Sequence, residues 1–113
     1  VTPADELAAI VKALAPGVPV VVGWPSAKLA PPAYVIHPLL RSHLVNGGAD
    51  WTISLDAVVG LTGDQGAIHD LVAAVVPNLP AGWHPSDTAY QQGSLGGVDL
   101  VIAATPVTTK RPA

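Results

Sequence analysis

From Trp51 to Leu61 the chain alternates: Trp51, Ile53, Leu55, Ala57, Val59 and Leu61 fall on odd positions, and Thr52, Ser54 and Asp56 on even ones. Successive side chains of an extended backbone point to opposite faces, so the pattern predicts a strand with one apolar and one polar face. These 11 residues would reach roughly 35 Å at the usual rise, about twice the usual strand length. A strand of that length is expected either to coil around a helix or to project at its ends as a hairpin that another subunit covers.

Around this strand the pattern changes period. Thr2-Pro3-Ala4-Asp5-Glu6 reads as a helix start, with Thr2 as cap, Pro3 in the first turn and Asp5 as the acidic partner three residues on. Leu7, Ile10, Val11 and Leu14 follow at helical spacing until Pro16-Gly17 breaks the helix. Val18 to Gly23, rich in β-branched residues, predicts a strand in which Pro19 favours a start or edge position. The proline-rich stretch Ser26 to Pro32 predicts a loop, and Ala33 to His37 a short strand stopped by Pro38. Leu39 to Leu44 is ambiguous between strand and surface connection. Asn46-Gly47-Gly48 supplies a turn, so the first arm of a hairpin should lie within Ile36 to Val45, in a register the sequence leaves open.

After Leu61, Thr62-Gly63-Asp64-Gln65 offers a second cap, and Ile68, Leu71, Val72, Val75 and Leu79 recur at helical spacing up to Pro77 and Pro80. Ala81 to Gly97 reads as a long loop or a broken strand, of the kind that binds something or orders against a neighbour. Val98 to Thr105 closes the fold as a strand limited by Pro106, and residues 105–113 are expected to form a loose tail. The whole predicts a single α+β domain over residues 1–113, mainly an antiparallel sheet with a long hairpin, packed by two helices.

Composition adds a reason to expect assembly. Of 113 residues, 50% are apolar and 12% charged, where about a quarter charged is typical. A chain this short buries only about two-thirds of its unfolded surface, so the surplus predicts burial between subunits. The net charge is −3, with Lys12, Lys28, Arg41, Lys110 and Arg111 scattered apart from the last pair, so no nucleic-acid footprint is formed. Cysteine is absent, which excludes disulfides and thiolate metal sites and fits a reducing compartment. The apolar runs are far short of the ~20 residues that span a bilayer, and the N-terminus lacks the pattern of a secretory signal, so we expect a soluble protein without membrane contact. The start at Val1 with no methionine fits a removed initiator.

The search for chemistry assigns no catalytic, cofactor or metal residue. His84-Pro85-Ser86-Asp87 reads as a turn, since one histidine and one carboxylate fall short of the ligands zinc needs. His69 and Asp70 are neighbours on a helix and point about 100° apart. His37 and His43 with Asp50 or Asp56 are an acid-base candidate across the hairpin, weighed against ordinary solvated polarity. Ser94 lies in Gln92-Gly93-Ser94-Leu95-Gly96-Gly97, whose spacing breaks both the nucleophile-elbow and the phosphate-loop patterns. Trp24, Trp51 and Trp83, with two tyrosines, are the only aromatics. All three tryptophans suit a core, and Trp83, Tyr90 and Trp51 are the candidates for a subunit interface.

The order of helix, strand, strand, long hairpin, helix, loop and strand resembles the tail-terminator proteins of long-tailed bacteriophages and related head-to-tail connectors. The features that carry the resemblance are the Thr2-Pro3 helix start, Pro31-Pro32-Ala33-Tyr34-Val35-Ile36 after a proline loop, the Trp51–Leu61 strand, the Asp64–Val76 helix and the Val98–Thr105 strand. The resemblance implies a non-enzymatic virion protein without cofactors, assembled in the host cytoplasm into a hexameric ring. That ring would cap the tail tube, stop its growth, meet the tail-tube protein and the head connector, and pass DNA only as cargo. Another neck or tail subunit, such as a head-closure or tube protein, is the alternative within structural proteins, sharing a sheet-rich fold and differing in partner. A small cytosolic oligomeric enzyme or ligand-binding domain, with His37, His43 and Asp56 in a cleft, is the alternative of a different class.

Overall fold

A computed structural model describes residues 2–23, 31–45, 48–61, 66–95 and 98–112, with the backbone alone for 38–45, 48–49, 95, 98 and 111–112. Helix α1 (Pro3–Leu14) begins as its sequence dictates. The Thr2 hydroxyl accepts from the Asp5 N–H at 3.3 Å, and the Asp5 carboxylate accepts from the Thr2 N–H at 3.2 Å, a reciprocal cap. The Thr2 backbone bond, then its hydroxyl, hold the Asp5 carboxyl below the usual carboxylate range. Leu7 and Val11 face the sheet fully buried.

Among the described residues the sheet has six strands: β1 (Val20–Val22), β2 (Ala33–Val45), β3 (Gly48–Gly60), β4 (Trp83–Pro85), β5 (Ala89–Leu95) and β6 (Val98–Pro112). Their order is β1-β2-β3-β6, with β4 and β5 both along the outer side of β6. β1 runs parallel to β2 and every other pairing is antiparallel. Helix α2 (Ala67–Val75) and a 3-10 turn (Val76–Asn78) connect β3 to the edge strand. The second cap proposed at Thr62 to Gln65 and the turn residues Asn46 and Gly47 lie outside the described residues.

Two strands run past the prolines expected to stop them. Pro38 lies in a bulge of β2, between His37 opposite Ser54 and Arg41 opposite Thr52, where it has no ladder partner to lose. Pro106 sits inside β6, and residues 105–112, expected loose, pair with β3 from Leu55 to Gly48. The reason is found in the neighbouring strand. The Pro106 carbonyl accepts from the Ser86 N–H at 2.8 Å. In antiparallel pairing the N–H and C=O of one residue point to the same neighbour, so the donor that proline lacks would have faced β4 and β5. There the ladder is already interrupted. From Ser86 to Ala89 the edge advances three residues while Pro106 to Ala104 advances two, leaving one in excess. Residues 83–95 are thus a broken strand, and the bulge keeps Trp83, Thr88 and Tyr90 on one side of the sheet.

That side carries the helices. Ile53, Leu55, Ala57 and Val59 of β3, Tyr34 and Ile36 of β2, and Ala103 and Val107 of β6 form one cluster with Leu7, Val11, Ile68 and Val75. The opposite side has a second core, Ala33, Val35, Val58, Leu100 and Ile102. Part of the apolar surplus is therefore housed within the chain. Tyr34 is held in the first core by its hydroxyl, which donates to the Leu71 carbonyl of α2 at 2.7 Å. Replacing Tyr34 with phenylalanine is expected to cost about 1 kcal/mol in a denaturant titration at neutral pH. Burial also pushes the Tyr34 pKa above the ordinary tyrosine value. The folded state then holds this proton more tightly than the unfolded state, so the contribution is complete below the ordinary value and is lost as pH rises through the raised one. Alkaline unfolding of the Tyr34→Phe variant should accordingly show a smaller loss over that window than the parent.

Candidate functional site

The second side of the sheet holds a buried polar chain at the end of its apolar patch. His37 of β2 and Asp56 of β3 lie on this side, diagonal to one another, because His37 is registered with Ser54 and Val35 with Asp56. The His37 Nε2 is 2.7 Å from the Asp56 Oδ2, with both side chains over nine-tenths buried. The Ser54 hydroxyl donates to the other oxygen, Asp56 Oδ1, at 2.7 Å. One carboxylate thus joins two strands and satisfies two donors in a place with little access to water.

The order of this chain limits its chemistry. A serine nucleophile needs its hydroxyl on the histidine that takes the proton, with the carboxylate behind the imidazole. Here the carboxylate stands between the two, and Ser54 donates to Asp56. The arrangement orients and fixes; it does not activate Ser54. The sequence had marked His37 and Asp56 for an acid-base pair, and the structure brings these two together. His43 is registered opposite Asp50, farther along the hairpin on the same side, as is Lys110 of β6. Asp50 Oδ1 is buried without a hydrogen-bond partner among the described residues, and those residues contain no group of three histidines or carboxylates able to hold a metal.

The other polar motifs separate. His84 and Pro85 end β4, and Ser86 and Asp87 lie in the bulge, all exposed. His69 and Asp70 are exposed on α2, and Ser94 is exposed in β5. No helix among the described residues is long and apolar enough to cross a membrane.

The aromatic candidates occupy two places. Trp83 and Trp51 stand on either side of Thr109, which is directly opposite each of them. Thr109 is 2% exposed while both indoles are half-buried. Trp83 packs against the margin of the helix-side core, so it has a role within the monomer in addition to any between subunits. Tyr90 is different. It is 48% exposed, and its ring meets that of His69 at 5.2 Å between centroids with the planes tilted by 50°. Sequence reasoning missed the second apolar side. Its signal was present in Val58, the one large aliphatic residue among the even positions of β3, and in Leu100 and Ile102. No protein-family model and no curated protein sequence matches the chain.

Proposed function

We propose that the chain is a structural virion subunit: a tail terminator that forms a ring at the head-proximal end of a phage tail tube, stops tube growth and joins the head connector. The observation that carries this reading is the long ribbon of β2, β3 and β6, with 13, 13 and 15 residues, in a molecule 47 Å long and 27 by 23 Å across. The helix-side core takes β3 only from Ile53 to Val59. The end of the ribbon at residues 48–52 continues beyond it, as a hairpin arm that reaches a neighbouring subunit would. The apolar composition and the element order described above support the same reading. Tail-tube and connector proteins are the partners it implies, with DNA passing through the lumen.

The buried His37–Asp56 contact favours a second reading, an oligomeric enzyme or ligand-binding domain. Its carboxylate-centred order and burial fit a structural bond better. Molar mass by light scattering with negative-stain imaging across concentrations separates the two. A ring of about six subunits, alone or on added tail tubes, is expected; a compact dimer that forms no ring under either condition would overturn the terminator reading.

A further inference from the structure

We infer that copies of this chain join by strand addition, the β5 edge of one copy (Ala89–Leu95) taking the β1 edge of the next (Val20–Val22) in antiparallel pairing. The inference rests on the assembly reading above and names the surfaces that would serve it. An uncovered strand edge is a template for another chain, and proteins blunt such edges with proline, charge or bulges. This sheet does so selectively. The outer side of β2 beyond β1 has a bulge with Pro38 and then Arg41. Along the outer edge strand, Pro85, the bulge at 86–88 and Asp87 blunt the first half. The remaining edge stretches have none of these devices: β5 reads Ala-Tyr-Gln-Gln-Gly-Ser-Leu, and β1 reads Val-Val-Val.

Their backbones are placed for pairing. Pro19 C=O and Gly23 N–H bond to β2 at 2.9 and 2.8 Å, so the odd positions of this parallel strand turn inward and Val20 and Val22 direct their N–H and C=O groups outward. Among the described residues β5 pairs only with β6, which leaves its outward groups for a second strand. The side chains agree. Among the described residues the exposed large hydrophobics are Val22, at 41%, and Tyr90, at 48%. One lies on each of these opposite edges. Val22 is registered with Ile36, and Tyr90 with Ala103, so both are on the helix side, and neither edge carries charge that would oppose contact.

Direction suits a second copy as the occupant. β1 runs with β2, β3 against β2, β6 against β3 and β5 against β6, so β1 and β5 run in opposite senses. Rotation about an axis along the strands preserves those senses. It brings β1 of one copy to β5 of the next as an antiparallel pair, with the helix layers on one side. Head-to-tail contacts of this kind generate rings when the rotation closes.

Because the chain has no cysteine, single introduced thiols are unambiguous. Val22→Cys and Gln92→Cys, both at exposed helix-side positions, are prepared separately and treated with a short bis-maleimide, alone and mixed, with light scattering on the same samples. The mixture should give a covalent dimer linking positions 22 and 92, each variant alone should remain a covalent monomer, and the double variant should give a ladder. Crosslinking of Gln92→Cys by itself would show β5 pairing with its own copy across a two-fold axis and overturn the inference. Oligomers that scatter as such yet give no 22–92 product would overturn the inference and leave the ring reading intact. A monomer at every concentration, with and without tail tubes, would overturn both.

Discussion

Replacing Ile53 with aspartate is expected to leave no folded protein. Ile53 is fully buried beneath the helices, in the middle of the strand that pairs with both β2 and β6. The substitution removes an apolar contribution of about 2–3 kcal/mol. It also forces a carboxyl group into the core at a cost of several kcal/mol, whether as a desolvated charge or as a protonated acid. Together these reach the total stability of a domain this size, about 5–15 kcal/mol. Circular dichroism and a thermal scan of the Ile53→Asp variant should show loss of the cooperative transition. Thr52→Asp, one residue away on the opposite, polar side, should retain the transition with a change of about 1 kcal/mol or less. A cooperative Ile53→Asp variant would contradict the assignment of the odd positions to the core.

That alternation was readable because it is local, and so was the Thr2–Asp5 cap, whose two bonds lie within four residues. The ends of β2 and β6 were not. Pro38 and Pro106 are stop signals when read along the chain, yet each sits where the ladder has already slipped, and the slip opposite Pro106 is made by residues 86–88 about twenty positions earlier. No window around Pro106 contains that information. The same limit applied to the candidate site. His37, Ser54 and Asp56 are all visible as polar residues, but which of them meet depends on the hairpin register. The exposed Tyr90 and Val22 were equally open to inspection as residues. Their relation appears only once they stand on opposite edges of one sheet.

The two-sided sheet also changes what the apolar composition demands. Half-apolar content in a short chain had called for burial between subunits, and the cluster of Val35, Val58, Leu100 and Ile102 supplies some of that burial within one copy. The two sides differ in length. The helix side takes an apolar residue at every odd position of β3 from Ile53 to Val59, whereas the second side changes from Val58 to Asp56 and Ser54 within five residues. The sheet is therefore buried on both sides at one end and bears polar residues on one side toward the hairpin arm, with the His37–Asp56 contact at the boundary. A boundary of this kind fixes register, since a one-residue slip of β2 against β3 would carry His37 to the side of the sheet away from Asp56.

Replacing Asp56 with alanine should therefore cost about 3 kcal/mol, the second largest effect expected from a single change. The carboxylate accepts from Ser54 at one oxygen and contacts His37 at the other; without it both groups lose that partner at a place where water cannot easily substitute. His37→Ala should cost less, because Asp56 keeps its bond from Ser54, and the double variant should fall short of the sum by about 1–2 kcal/mol, the signature of direct coupling. Urea titrations of the four proteins measure this, and additivity within about 0.3 kcal/mol would show that the contact contributes nothing. The decisive protein is the apolar replacement Ser54→Ala, His37→Leu, Asp56→Val. If the three residues act as a structural bond, this variant regains most of the stability lost in Asp56→Ala, because no buried donor is left without its acceptor, and it assembles as the parent does. If it folds and assembles but loses a ligand or an activity that the parent possesses, the polar chain serves chemistry, and the reading of this protein as a purely structural ring subunit fails.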